Sequence, residues 1–263
     1  MNIQTPRQLE ILGIARLKGH VTVDLLSSSF DVTPQTIRKD LNDLCNMGEL
    51  NRVHGGAVYP STTVNVAYKA RREINADGKK RIGEIIATII PDNASVILNI
   101  GTTTEQVALA LRKHKGLMVI TNNLNVAHIL SDAPDIELFV AGGLVRKSDG
   151  GITGAAAIDL IQQFKVDYAI IGSSAIDEAG SLLDFDYQEV RVTQAIIAQA
   201  KNTILAADSS KFERHAPVEI GHLDDLDIFV TDEQPGDSII EKCIDSDVEV
   251  VVADENILLQ RER

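Results

Sequence analysis

Along residues 31–44, DVTPQTIRKDLNDL, the apolar positions Ile37, Leu41 and Leu44 fall on one narrow stripe at helical spacing. Gln35, Lys39 and Asn42 lie opposite, with Thr36 and Arg38 on the flanks. Thr33 suits the N-cap and Pro34 the first helical position, where its missing N–H costs nothing. Val32 can staple onto Ile37, while Thr36 at the third position rules out a reciprocal capping box. Upstream, Thr5-Pro6 repeats the same start; Leu9, Leu12, Ala15 and Arg16 follow helical spacing until Gly19 stops the run. The stretch VTVDLLSSSF predicts a short second helix packing through Leu25, Leu26 and Phe30. Only Asp31 and Val32 separate it from the third, so those two helices turn sharply into each other. After Gly48, LNRVHGGAVY alternates around His54-Gly55-Gly56, a hairpin signal.

Three short helices and a small hairpin over residues 1–58 make a winged helix-turn-helix plan, in which the third helix enters the major groove. The candidate DNA contacts are Thr33, Gln35, Thr36, Arg38, Lys39 and Asn42, with Arg52 and His54 from the wing. Alone, such a polar face would read as a solvated helix surface; its neighbours favour DNA. Residues 59–77 show no sustained period and carry Pro, Ser and Thr, with Lys69, Arg71 and Arg72 at their basic end, and read as a linker. From Gly78 to residue 263, β-rich runs (SVILNI, LMVIT, IELFVA, YAIIG, TILAAD, DIFVTD, VEVVVA) are separated in several places by amphipathic helices. The expected fold is therefore α/β: a winged helix-turn-helix followed by an α/β domain whose mainly parallel sheet is covered on both faces.

Charge sharpens this division. The net charge of −13 over 263 residues looks wrong for a nucleic-acid binder, but residues 1–90 balance at +3 and residues 91–263 at −16. A modestly basic head can approach phosphates while the acidic remainder limits nonspecific adhesion. Two cysteines, Cys45 and Cys243, form no metal-ligand spacing, so no metal and no cofactor is expected. They point to a reduced, cytoplasmic protein, and neither a signal peptide nor an apolar run of membrane-spanning length is evident.

Ligands of such sheets bind beyond the carboxyl ends of the strands, and those ends are small and polar here. Gly101, Thr102 and Thr103 run straight into a helix, an anion cradle of hydroxyls and backbone N–H groups. Asn122 and Asn123 follow the next strand. Gly142 and Gly143 follow the third, with Arg146 and Gly151 close behind, and Ser173 follows the fourth. Any one of these could be a turn; together on one sheet edge they would form a polar pocket for a small phosphorylated polyol. Asp177, Glu189 and Lys211 are titratable groups near strand or helix ends, suited to proton transfer or to plain ligand contact.

VTPQTIRKDLNDL followed by HGGA resembles the winged-helix signature of DeoR-type bacterial transcriptional regulators. The resemblance continues through IGTTTEQVALAL, VITNNLNVA, VAGGLVRKSDGGITG, IIGSSAID, GSLLDFDYQEVR and DSSKF, covering nearly the whole chain. It implies a repressor whose C-terminal domain is similar to ribose-5-phosphate isomerase and binds a phosphorylated sugar or polyol. DGGITG and FDYQEVR look most like relatives tuned to glycerol 3-phosphate, which makes that the expected effector. The resemblance puts the phosphate near Gly101, Thr102 and Thr103, with Asn122, Asn123, Gly142, Gly143, Arg146 and Gly151 lining the pocket. Asp177, Glu189 and Lys211 match the region where the isomerases keep catalytic groups. Lys39 stands where many relatives carry Arg, and a lysine lacks the bidentate fork that reads guanine.

The expectation is a repressor that binds double-stranded operator DNA as a homodimer or homotetramer and is released by its effector. Two other classes remain open: a sugar-phosphate isomerase with an accessory domain, which turnover of a sugar phosphate would reveal, and a sensor acting through a protein partner, which loss of specific DNA binding would favour.

Overall fold

The computed structural model describes residues 4–53, 55–59, 65–212 and 214–254; His54 at the expected wing tip lies outside them. Helix α1 (Pro6–Lys18) begins under a full capping box, in which Thr5 accepts the Gln8 N–H and the Gln8 side chain accepts the Thr5 N–H. Its buried stripe is Gln8, Ile11 and Ala15, whereas Leu9, which shares the helical spacing, is 55% exposed. The next segment is divided. Val21 belongs to strand β1 (His20–Thr22), and α2 (Val23–Phe30) starts only after Thr22 caps it. That later start turns Val23 and Leu26 inward and leaves Leu25 39% exposed, so Leu25 does not pack as expected.

Asp31, at φ 50, makes the sharp turn into α3 (Pro34–Asn46), which buries Ile37, Asp40, Leu41 and Leu44. The wing is β2 (Asn51–Val53) and β3 (Gly56–Val58), with β3 central because β1 adds to its other side. Gly56 permits this: a Cβ there would stand 2.1 Å from the Val21 carbonyl oxygen. Ile11, Leu26, Ile37, Leu41, Leu44 and Ala57 share one core.

Where a linker was expected, the structure has a helix, α4 (Tyr68–Glu73). Val66, Ala70 and Ile74 form a buried row with Val53 and Val58 of the wing. Asn75, in the left-handed region at φ 51, turns the chain into α5 (Ala76–Ile89).

The remainder runs β4 (Ser95–Leu98), α6 (Thr102–Leu111), β5 (Leu117–Thr121), α7 (Leu124–Leu130) and β6 (Ile136–Val140). A two-stranded arm, β7 (Leu144–Val145) and β8 (Ile152–Thr153), precedes α8 (Ala155–Ile161) and β9 (Val166–Ile171). Then come β10 (Ala175–Ile176), β11 (Ser181–Asp184), α9 (Tyr187–Ile197), β12 (Ala200–Ala206), β13 (Val218–His222), β14 (Ile228–Thr231), α10 (Asp237–Asp245) and β15 (Glu249–Val252). Seven strands pair in parallel in the order β15-β14-β12-β9-β4-β5-β6. Inner strands such as β4 and β5 read as nearly continuous apolar runs because both faces are buried, while the edge strands β6 and β15 keep exposed positions. Val96 and Leu98 point to one core with α5, α6 and α7, and Ile97 to the other with α8, α9 and α10. The antiparallel trio β10-β11-β13 sits apart from this sheet. From β4 the chain builds outward to β6 on one side, then returns to place β9, β12, β14 and β15 on the other. The order thus reverses between β4 and β9, which opens a crevice at their carboxyl ends. Among the described residues no helix is long and apolar enough to cross a membrane.

Candidate DNA-binding and effector sites

Gln35, Arg38, Lys39 and Asn42 stand exposed along α3. Thr33 and Thr36 are less free: Thr33 Oγ1 accepts the Thr36 N–H at 3.3 Å, and the two hydroxyls lie 2.9 Å apart. Asp40, on the same helix, would oppose phosphate if it faced outward. It is buried, and the Arg7 Nε donates to its Oδ2 at 2.6 Å. Arg38 and Lys39 stand beside a groove lined also by Arg7 of α1 and by Asp40 and Asp43, with Arg7 offsetting the charge of Asp40. The Arg52 guanidinium donates across its own hairpin to the Gly56 carbonyl.

The crevice assembles from several strand ends. Thr102 and Thr103 are buried at the start of α6, following Gly101. Across them lies α4: the Thr102 hydroxyl donates to the Arg71 carbonyl at 3.4 Å, and the Tyr68 hydroxyl to Glu105 at 2.9 Å. Burial and the Glu105 charge push Tyr68 up to about 12, so it remains a donor. Burial also raises Glu105, against hydrogen bonds from Tyr68, Asn125 and Asn123. Asn125 spans the gap to the arm, donating to Glu105 at 3.0 Å and to the Asp149 carbonyl at 2.8 Å.

Arg146, expected to line the effector pocket, is already surrounded by acids. It holds Asp149 through two donors at 3.1 and 2.5 Å, Asp186 at 3.0 Å and Glu189 at 2.5 Å. Arg71 reaches the same Asp149 at 3.1 Å. Burial and Asp184 raise Glu189 above the usual carboxylate range, with Arg146 opposing. Gly151 belongs here too, donating to Asp149 and lying so close to Ile100 that a Cβ would come within 2.7 Å.

A second cluster lies past the end of β12. The ammonium groups of Lys79 and Lys211 flank Asp208 Oδ2 at 3.9 and 4.0 Å. Lys79 also donates to the Arg71 carbonyl and, at 2.6 Å, to that of Ile74. Burial lowers Lys79 and carries Lys211 down to about 7, with Asp208 opposing and Arg214, Lys79 and Arg71 adding like-charge repulsion on Lys211. Arg214, brought down to about 10 by burial and Arg71, donates to Asn65 at 2.6 Å. Burial pushes Asp208 up, but Lys211 and Lys79 together with hydrogen bonds from Ser210 hold it below its usual range.

Buried polar atoms around the crevice without a hydrogen-bond partner among the described residues include Arg71 Nε, Asn122 Oδ1 and Ser173 Oγ, while Asp208 Oδ2 is met only by the two ammonium groups. Each such group costs about 1–3 kcal/mol when left unpaired. Other expected residues are engaged or set apart. Asn123 caps α7 by accepting the Asn125 N–H. Asp177 closes the β10–β11 turn, accepting the Ser181 N–H at 2.8 Å, and does not form a set with Glu189 and Lys211. Gly142 and Gly143 are exposed after β6, two strands away from β4, where Gly143 lets the arm pass Thr153. Sequence reasoning missed Tyr68, Lys79, Glu105, Asp208 and Arg214 as site residues and read Arg71 as a loop charge. One signal was present: Lys79 stands in line with Ile82 and Ile86 on the inner stripe of α5, an unusual place for a lysine.

Residues 7–63 match the DeoR-like helix-turn-helix domain, and residues 74–233 the DeoR C terminal sensor domain. The chain is 41% identical over 247 residues to the glycerol-3-phosphate regulon repressor of Escherichia coli (strain K12), covering 94% of this chain and 98% of that one. The protein of the same name from Haemophilus influenzae is 43% identical over 232 residues, covering 88% and 91%. Among solved structures, ribose 5-phosphate isomerase A from Methanocaldococcus jannaschii overlaps in part, with a TM-score of 0.40 at 14% identity over 52% of this chain and 55% of that one. With both domain matches in chain order and whole-length relatives above 40% identity, the chain belongs to the DeoR family of helix-turn-helix transcriptional repressors.

Proposed function

We propose that residues 1–58 read operator DNA through Gln35, Arg38, Lys39 and Asn42, and that residues 78–263 receive glycerol 3-phosphate, which releases the operator. The carrying observation is the buried cation cluster of Lys79, Lys211 and Arg214 beside Arg71, at the crevice where polar atoms stand unpaired. A chain segment with a −16 balance opposes an anionic ligand everywhere except where such cations are gathered. Phosphate charge would answer the ammonium groups and Arg71, while the polyol hydroxyls would meet Asn122 and Ser173. The names of the two relatives support glycerol 3-phosphate among phosphorylated polyols. They also favour a regulator over an isomerase.

A thermal-shift series with glycerol 3-phosphate, glycerol, inorganic phosphate and phosphorylated C4 to C6 sugars tests the effector, paired with operator titrations. Glycerol 3-phosphate should raise the melting temperature and weaken operator binding at least about tenfold, which needs about 1.4 kcal/mol of preference for the released form. Stabilisation by another phosphorylated sugar alone would move the assignment to that ligand.

A further inference from the structure

Helix α4 is fastened at once to the crevice and to the wing, and we propose that it is the lever by which an occupied crevice changes the posture of the wing. The proposal rests on the effector site argued above and adds the route of its action.

On the crevice side α4 is held by charge and hydrogen bonds. Arg71 pairs with Asp149, Tyr68 donates to Glu105, and the Arg71 carbonyl accepts from Thr102. Lys79 satisfies the carbonyls of Arg71 and Ile74 at the C-terminal end of the helix, where no intrahelical partner exists. On the wing side the attachment is apolar: Val66, Ala70 and Ile74 pack with Val53 and Val58. The two sides nearly touch. A narrow cavity is bordered by Val53 and Val58 of the wing, Arg71 and Ile74, and Lys79, Lys211 and Arg214 of the cation cluster.

The geometry also supplies a pivot and room to turn. Asn75 at φ 51 is the joint between α4 and α5, steadied by its hydrogen bond to Asp232 at 2.6 Å. A cleft of about 320 Å³ separates Gly55 and Gly56 of the wing from Glu73–Asp77. A phosphate among Lys79, Lys211 and Arg71 competes with Asp149 for the guanidinium and with the helix carbonyls for the ammonium. Both fastenings belong to α4, so their loss frees it to turn about Asn75. Packed seams exchange one arrangement for another and do not stretch, so the wing follows.

The test uses the full-length chain and has an arm without ligand. Hydrogen exchange is measured on wild type and Arg71→Ala. The lever predicts faster exchange at residues 51–58 in the variant, with α1 unchanged; exchange at 51–58 equal to wild type overturns it. Should Arg71→Ala not fold, Tyr68→Phe and Arg71→Gln loosen the same fastenings and are read the same way. In the second arm, Val66→Ala thins the seam at a residue that does not border the cavity shared with the cation cluster. That variant should keep the thermal shift from glycerol 3-phosphate while operator release falls from about tenfold to under about threefold; undiminished release overturns the lever. If glycerol 3-phosphate fails to shift the wild type, the effector assignment falls, and the ligand-free exchange still decides the lever.

Discussion

Lys211 carries a proton on borrowed terms. In an unfolded chain its amine holds that proton until near its ordinary value of 10.5, whereas in the fold burial brings the midpoint to about 7. Between these values the unfolded state binds more protons, so this residue's share of stability rises with pH across that window. Wild type should therefore gain unfolding free energy relative to Lys211→Met as pH goes from 7 to about 9.5, as read by urea denaturation. Parallel profiles would refute the assignment. Calorimetry gives the ligand side of the same prediction: near pH 8 a phosphate monoester should draw close to one proton onto the cluster, seen as a dependence on buffer ionisation enthalpy. Little of this was legible in the sequence. DSSKF showed a lysine near a strand end, but its pairing with Lys79 around Asp208 depends on α5 packing beside β14, and no local spacing encodes that.

Among the elements, α3 was the most readable because every rule about it is local: a Thr-Pro start, a stapling valine, and a stripe at 3.6-residue spacing. The structure agrees, placing Ile37, Leu41 and Leu44 inside and Arg38 and Lys39 outside. Replacing Arg38 and Lys39 together by Ala should weaken operator binding. A base-reading side chain is worth about 1–3 kcal/mol of discrimination, and loss of a phosphate contact flattens the salt dependence. Unchanged affinity and salt slope would remove α3 from the interface. Helix α4 was unreadable for the opposite reason. It has six residues, YKARRE, and only Ala70 among them is buried; the rest of its apolar row, Val66 and Ile74, lies outside the helix itself. Its form is set by the two surfaces it bridges. The short strands β7, β8, β10 and β11 escaped for a similar reason, since two to four residues are too few to show alternation.

Over the whole molecule, the seven-stranded parallel sheet was visible as seven apolar runs, while its order was not, because periodicity says nothing about which strands are neighbours. One α3 reads only a few base pairs, too few to single out a genomic site, and a symmetric pair of chains meets that need with two half-sites. Sedimentation at micromolar concentration should show a dimer or tetramer; a strict monomer that still holds one operator tightly would exclude this arrangement. The reversal of strand order has a further consequence in the order of synthesis. The head is complete by about residue 59, since its strands β1, β2 and β3 pair among themselves. The crevice waits for β9 to return beside β4, and for Asp208 and Lys211 beyond it. On the ribosome the part that grips DNA is thus finished long before the part that lets go. A message cut short between β3 and β9 would encode the fold of the head without the crevice.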